Sequence, residues 1–520
     1  MQRSSITSLT RSAIMAVASI FSITLAACTP ISSTSNLAAR AVVEQPTATA
    51  AAETEPARSL TMRITAPGFD KMAAHFGISE EELLIATGGL PPNIEQAARL
   101  LGVSEDEIRA QLPPGFRPRE GRPDGLVLST SGAFPGYTLV APMDKTITYL
   151  INNQGEIVHE WQSEYTPGNA AYLLEDGSLV RTALPQDNPM GLGAGNGGII
   201  EKFDWEGNLT WSYKLYGDNY TQHHDITIMP NGHILALVYE KLPAEAAIAL
   251  GREPRLIPEE WQQVWGDSVV EIDPTSNEIV WRWSVWDHIV QGIDPNLPNY
   301  GDPAQTPGRI NINFIGSALS IDWIHLNTVY YNEKLNQIML MSREFSELWI
   351  IDRSLSQEEA AGAAGDLLYR WGNPETQNIA SERSLIFPHD ARWLSEDAPN
   401  ITIFNNGVNE IRKSTEILEI IPEMDAAGKY VMLPGAPQKA EIVWKYAANP
   451  PESFYAPYQG GAQTLPNGNL LITDSTNGRI FEITASGETI WDWYDEGGSW
   501  LFRSTHYAAD YPAFEGKGLQ

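Results

Sequence analysis

Asn277-Glu-Ile-Val-Trp-Arg-Trp283 reads as one strand of a half-buried sheet: a turn residue, then aliphatic and aromatic residues that alternate, with the two tryptophans at i and i+2 on one face. The same frame recurs without gaps as Gly155-Glu-Ile-Val-His-Glu-Trp161, Gly207-Asn-Leu-Thr-Trp-Ser-Tyr213, Gly365-Asp-Leu-Leu-Tyr-Arg-Trp371, Ala440-Glu-Ile-Val-Trp-Lys-Tyr446 and Gly487-Glu-Thr-Ile-Trp-Asp-Trp493. An aromatic stands six positions after the turn residue in all six copies, and four after it in five. Several copies follow an alternating strand, as in Val269-Val-Glu-Ile-Asp273, so each of these closes a hairpin. A second hairpin built around Pro-Asn-Gly, such as Ile226 to Leu235, supplies two more strands. Six four-stranded antiparallel sheets around an axis make an all-β, six-bladed β-propeller, in which the aromatics fill the space between blades. Gly136-Tyr-Thr-Leu-Val140 stands alone ahead of the first repeat and is expected to complete the last blade.

Outside the repeats the vocabulary changes. Residues 1–27 have Arg3 and Arg11 ahead of an apolar run that ends in Leu25-Ala-Ala-Cys28, the layout of a signal peptide with a lipoprotein cleavage box. Cys28 is the single cysteine, so it is the expected lipidation site and no intrachain disulfide can form. The run is shorter than the roughly 20 residues that span a bilayer. The expectation is an exported lipoprotein, periplasmic or at the cell surface, that meets membrane only through its anchor. Residues 28–60 read as a flexible tether and 61–120 as a small helical unit, in which Ser79-Glu-Glu-Glu82 and Ser104-Glu-Asp-Glu107 fit capping boxes. The propeller takes 121–520. A formal net charge of −31 leaves no basic surface for nucleic acid.

The chain has nine histidines, and four fall where the inner strand of a blade is expected to open at the channel mouth. They are His224 in Gln222-His-His-Asp225, with His223 beside it; His325 in Ile324-His-Leu-Asn327; His389 in Phe387-Pro-His-Asp-Ala391; and His506 in the last repeat. Such a cluster can ligate a metal, or it can serve group transfer as nucleophile, acid and oxyanion donor. Arg343, on the strand paired with that of His325, is a poor neighbour for a divalent metal and a good fork for an oxyanion, which favours anion chemistry with no metal.

The His-His-Asp run, the His-x-Asn with an arginine eighteen residues on, and the His-Asp-Ala run resemble those of the bacterial aryl sulfate sulfotransferases, exported six-bladed propellers, over roughly residues 134–510. The resemblance implies transfer of a sulfuryl group from a phenolic sulfate ester to a phenol, with no phosphoadenosine or other cofactor. It implies that His389 is the nucleophile and is transiently sulfated, in ping-pong fashion. It implies further that His224, His325, Asn327 and Arg343 hold the sulfuryl oxygens and the leaving phenoxide, and that a threonine near Gly460–Thr464, here Thr464, joins the sulfate pocket. From their places at the expected channel mouth, His223 and His506 are expected to line the substrate site. The family also implies a homodimer, although this chain lacks both the family's cysteine pair and β-like sequence before residue 120. Two other readings use the same mouth: a silent lipid-anchored propeller that binds an anionic aromatic ligand, and a metal- or quinone-dependent oxidoreductase.

Overall fold

The computed structural model describes residues 69–519 apart from 88–91, 93, 114–120, 191–194, 258–261, 317–320 and 410. The expected signal segment, Cys28 and the expected tether lie outside the described residues. No helix among the described residues is long and apolar enough to cross a membrane.

Six small antiparallel sheets form a six-bladed propeller, and every copy of the aromatic repeat is the fourth strand of its blade. Counted from the axis outward, blade two is Pro167–Leu173, Leu179–Ala183, Ile199–Phe203 and Leu209–Lys214. Blade three is Tyr220–Ile228, Ile234–Pro243, Gln263–Asp273 and Glu278–Ser284; blade four is Leu326–Asn332, Gln337–Ser342, Glu347–Asp352 and Tyr369–Trp371. Blade five is His389–Trp393, Ile401–Asn405, Glu416–Pro422 and Ala440–Ala447; blade six is Gly461–Thr464, Leu470–Asp474, Arg479–Ile483 and Thr489–Tyr494.

Ring closure falls in blade one. There the C-terminal strand Thr505–Ala508 lies innermost and pairs with Gly136–Val140, followed by Ile147–Asn152 and Ile157–Gln162. The strand at 136–140 thus meets the last strand of the chain, as expected, but as the second strand of the first blade. Blade six is already complete, and it gains a fifth, outer strand from Gly125–Ser129.

Each blade packs on the next through an apolar layer, and the repeat explains why. Between blades three and four, Leu235, Val269, Trp281 and Trp283 meet Val329, Leu340 and Trp349, all buried. The side chain four positions after the turn residue, a histidine in one copy and an aromatic in five, also carries a polar atom in every copy. His159 bonds the Trp205 carbonyl (2.8 Å), Trp211 donates to Asn277 Oδ1 (2.8 Å) and Trp281 donates to the Leu355 carbonyl (3.0 Å). Tyr369 donates to the Lys439 carbonyl (2.7 Å), Trp444 to that of Ala485 (3.3 Å) and Trp491 to that of Asn153 (2.9 Å). Each ring ties its blade to the outer loop of the next, a use of Trp, Tyr and His that Phe could not fill.

Ahead of the propeller stand four short helices: α1 (Phe69–Phe76), α2 (Glu80–Thr87), α3 (Ile94–Leu101) and α4 (Glu105–Gln111). At Ser79 both halves of the capping box form, 3.1 Å from Glu82 N to Ser79 Oγ and 2.8 Å from Ser79 N to the Glu82 carboxylate. Phe69, Met72, Leu83, Ile94 and Ile108 pack with Trp500, and Arg109 donates to the Gly497 carbonyl (3.0 Å). The helices therefore rest on the mouth-side loops of blades one and six.

Candidate active site

Four inner strands break register at their opening residues, at Pro167/Ala171, Gln222/Ile226, Leu326/Thr328 and His389/Arg392. The same places hold left-handed backbone at residues other than glycine: Asn169 (φ 109°), His224 (47°), His325 (56°) and Asp390 (44°). A bulge re-aims a side chain that a regular strand would point into the blade, and such conformations cost about 1–3 kcal/mol each. Here they mark the rim of the axial channel, where the sequence placed its histidines.

The rings of His224 and His325 lie 4.6 Å apart. His389 is close enough to both His325 and Arg343 for electrostatic coupling, and His224 couples to all three. The structure thus brings His224, His325, His389 and Arg343 together from blades three, four and five. Burial, with the Arg343 guanidinium acting in the same direction, pushes His389 down to about 3 and His224 well below the usual imidazole range. Both are neutral near pH 7, as a nucleophile or a hydrogen-bond partner requires. Arg343 lies with its Cζ 4.5 Å from the Phe387 ring and 5.8 Å from that of Tyr458, and it pairs with Glu344.

Each histidine has a distinct Nδ1 partner. His325 Nδ1 lies 2.5 Å from Asp322 Oδ2, which also accepts the Tyr239 hydroxyl (2.9 Å), while Asp322 Oδ1 accepts His325 N (3.1 Å). His224 Nδ1 lies 2.9 Å from His223 Nδ1. His389 Nδ1 lies 2.8 Å from Asn406 Oδ1. His223 itself is fully buried behind His224; it stacks on Tyr239 at 3.5 Å, with Nε2 3.1 Å from Asp267. Its ring therefore supports the cluster from behind.

Asn327 is buried and committed to structure, since Nδ2 donates to the Pro388 carbonyl (2.9 Å) and Oδ1 accepts from Thr328 (3.0 Å). It holds the loop ahead of His389 from the side of blade four. Two expected residues stand elsewhere. Thr464 closes the far end of blade six's inner strand, exposed and paired with Leu470, because that strand begins at Gly461 and spends three residues reaching it. His506 turns into blade one, with Nδ1 2.9 Å from Thr138 Oγ1, and burial lowers it to about 4. The repeat spacing slipped there: in blade one the mouth position belongs to Phe502 and Arg503. The Phe502 ring lies 6.3 Å from that of His224.

Arg503 explains the aspartates of the two His-Asp runs. Its guanidinium joins Asp390 (3.0 Å), Asp225 and Tyr172 across the axis, and Arg392 adds a bond to Asp390 (2.8 Å). The second oxygens of Asp225 and Asp390 accept Val329 N (3.1 Å) and Ala462 N (2.9 Å) from the next blades. The aspartates thus staple the inner strands one residue beyond the histidines. Among the described residues no group of three or more His, Cys, Asp or Glu is arranged to hold a metal ion. The remaining histidines serve structure or the surface: His288 bonds Asp366 and the Ala360 carbonyl, His233 bonds Glu271, and His75 lies in α1.

Asn406, Asp322 and Tyr239 were not foreseen. Tyr239 lies within the second strand of blade three, and Arg343 and Asn406 follow directly on the second strands of blades four and five, so further residues of the second strands back the histidines.

Among solved structures the chain is similar to a protein of unknown function from Bacteroides caccae, at 12% identity over 72% of this chain and 98% of that one, with a TM-score of 0.40. It is also similar to a streptogramin B lyase (12% identity, 74% and 87% covered, TM-score 0.35) and to AztD from Citrobacter koseri (10% identity, 72% and 100% covered, TM-score 0.31). No sequence among curated proteins matches. The family model described as arylsulfotransferase (ASST) matches residues 170–497, more than half of the chain; with the histidine-lined mouth lying inside that span, the chain belongs to the arylsulfotransferase family and its activity is of arylsulfotransferase type.

Proposed function

We propose that the protein transfers a sulfuryl group from a phenolic sulfate ester to a phenol through a sulfated His389. The observation that carries this reading is the convergence of three neutral or carboxylate-paired imidazoles with Arg343 at one channel mouth. The Nε2 lone pair of His389 attacks sulfur, the N–S bond forms, and the S–O bond to the phenol breaks with its electron pair going to the phenoxide oxygen. Arg343 and His224 offset charge on the sulfuryl oxygens.

The proton for the departing phenoxide comes from His325. Of the three mouth-facing histidines it is the one, among the described residues, whose ring meets a carboxylate, at 2.5 Å from Asp322. Such a pair steadies an imidazolium, which can give its proton to the phenoxide and take one back from the incoming phenol. The acceptor oxygen then attacks sulfur, the N–S bond breaks, and His389 returns to its neutral state. Two phenols thus use one site in turn.

Mixing the protein with a nitrophenyl sulfate donor alone, then measuring intact mass after rapid quench, tests the intermediate. The expected result is one added sulfuryl group, absent in His389→Ala and lost on addition of phenol. Transfer at full rate with no adduct at any quench time would make direct transfer between bound phenols the better account.

A further inference from the structure

The amide of Asn406 is buried and fully committed. Its Nδ2 donates to two backbone carbonyls, those of Ala456 (2.7 Å) and Gln459 (2.7 Å). Both amide hydrogens are used, and turning the group over would set its oxygen against two carbonyl oxygens. The orientation is therefore fixed: Oδ1 faces His389 Nδ1 at 2.8 Å, and an oxygen with no hydrogen can only accept. The backbone around it is fixed as well. Thr415 Oγ1 donates to the Asn406 carbonyl (2.9 Å), and Ala456 N donates to Thr415 Oγ1 (2.8 Å). The neighbouring Asn405 accepts Ile386 N (2.8 Å), and Gly407 N donates to the Ile386 carbonyl (3.0 Å), so the same short segment holds the loop that leads into His389.

We propose that Asn406 is the positioning residue of the nucleophile, holding the hydrogen of His389 on Nδ1 so that the lone pair stands on Nε2. The inference rests on His389 being the group that is sulfated. A neutral imidazole has one hydrogen and two places for it, and solution imidazoles populate both. Only the form with Nδ1–H can attack from Nε2.

The choice of an amide has a second consequence. When Nε2 bonds to sulfur, the ring acquires positive charge that it can shed only by losing the Nδ1 hydrogen. A carboxylate beside Nδ1 would draw that hydrogen away and leave a neutral sulfated ring, a poorer leaving group. A neutral amide oxygen accepts the hydrogen bond without taking the proton, so the ring departs from sulfur as neutral imidazole in the second displacement. A carboxylate at this position would also face the Ala456 and Gln459 carbonyl oxygens. The cluster thus pairs its proton carrier, His325, with an acid and its nucleophile, His389, with an amide.

The test is nitrogen NMR of the full chain labelled with ¹⁵N in its histidine rings, the His389 signals being identified by their loss in His389→Gln. In the unsubstituted protein Nδ1 of His389 is expected to carry the hydrogen and Nε2 to show the shift of an unprotonated ring nitrogen. In Asn406→Ala the preference should be lost or reversed, with adduct formation from nitrophenyl sulfate slowed by about 10²- to 10⁴-fold, the scale of holding a catalytic histidine in the wrong tautomer, and with little change in donor KM. A hydrogen found on Nε2 in the unsubstituted protein overturns the proposal whether or not the variant folds. An unchanged tautomer in Asn406→Ala overturns it as well. A locked Nδ1–H in a protein that forms no adduct would instead overturn the transfer chemistry and leave the ring assignment standing.

Discussion

Replacing Asp322 with Asn keeps the shape of the site and removes the charge that steadies His325. Asp322 Oδ2 serves two donors, the His325 ring at 2.5 Å and the Tyr239 hydroxyl at 2.9 Å, while Oδ1 serves the His325 backbone N–H at 3.1 Å. An amide has only one oxygen for these three. With its NH₂ toward the ring it would hold the wrong tautomer and turn the Tyr239 hydroxyl from donor to acceptor; with its oxygen there it would face a backbone N–H with another donor. Loss of one charge-assisted hydrogen bond is about 1.5–3 kcal/mol, which is roughly 10- to 150-fold in rate if the bond is expressed in the transition state. The loss should depend on the leaving group. Nitrophenoxide departs without a proton and phenoxide does not, so the defect should be large with phenyl sulfate and small with nitrophenyl sulfate as donor. Initial rates with both donors at a saturating acceptor measure this. Equal losses for the two donors, or none for either, would refute the assignment of His325 as proton carrier.

Three more outcomes are expected. Arg343→Ala should lower kcat/KM by about 2–4 kcal/mol, as for one oxyanion donor in a dry site, and Arg343→Lys should restore little of it because a point charge does not fork onto two oxygens; steady-state kinetics decide. Trp281→Phe, which keeps an aromatic in the layer between blades three and four but strands the Leu355 carbonyl, should lower stability by about 1–2 kcal/mol in denaturant unfolding. His389 and His506, held at about 3 and 4 against an ordinary 6.5, bind protons in the unfolded chain before they do in the folded one. Stability should therefore fall as pH drops from about 6.5 toward 4, with His223 and His224 acting in the same direction, and a denaturation midpoint constant over that range would contradict the buried neutral imidazoles.

The architecture was legible because each blade repeats a contact. The aromatic pair after each turn residue must fill the same interblade layer six times, so the physical demand prints a period in the chain. Closure was legible only in part. Gly136–Val140 looked like the missing piece of the last blade, yet the repeat ending at Trp493 already supplies that blade's fourth strand, and the chain beyond Trp493 must begin another. Gly125–Ser129 escaped notice because it lies outside the period: an added fifth strand whose Leu126, Val127 and Leu128 stay exposed.

The site was legible to the depth of one side chain. Histidine is rare enough that its placement at successive strand openings is visible, and the bulges that aim it there come with the strand starts. What each histidine does depends on the group behind its Nδ1, and those groups carry no such mark. Asn405-Asn406-Gly407 has the composition of a hairpin turn, so its amides read as solvent-facing when both are buried. Asp322 stands three residues before His325, where a strand face gives no reason to pair them, and only the left-handed turn at His325 folds the ring back onto it. His325 and His389 are therefore equivalent in the repeat and unequal in chemistry. A carboxylate behind one makes it a carrier of protons, an amide behind the other keeps its hydrogen in place, and substituting either partner should change the role of its histidine without moving the ring.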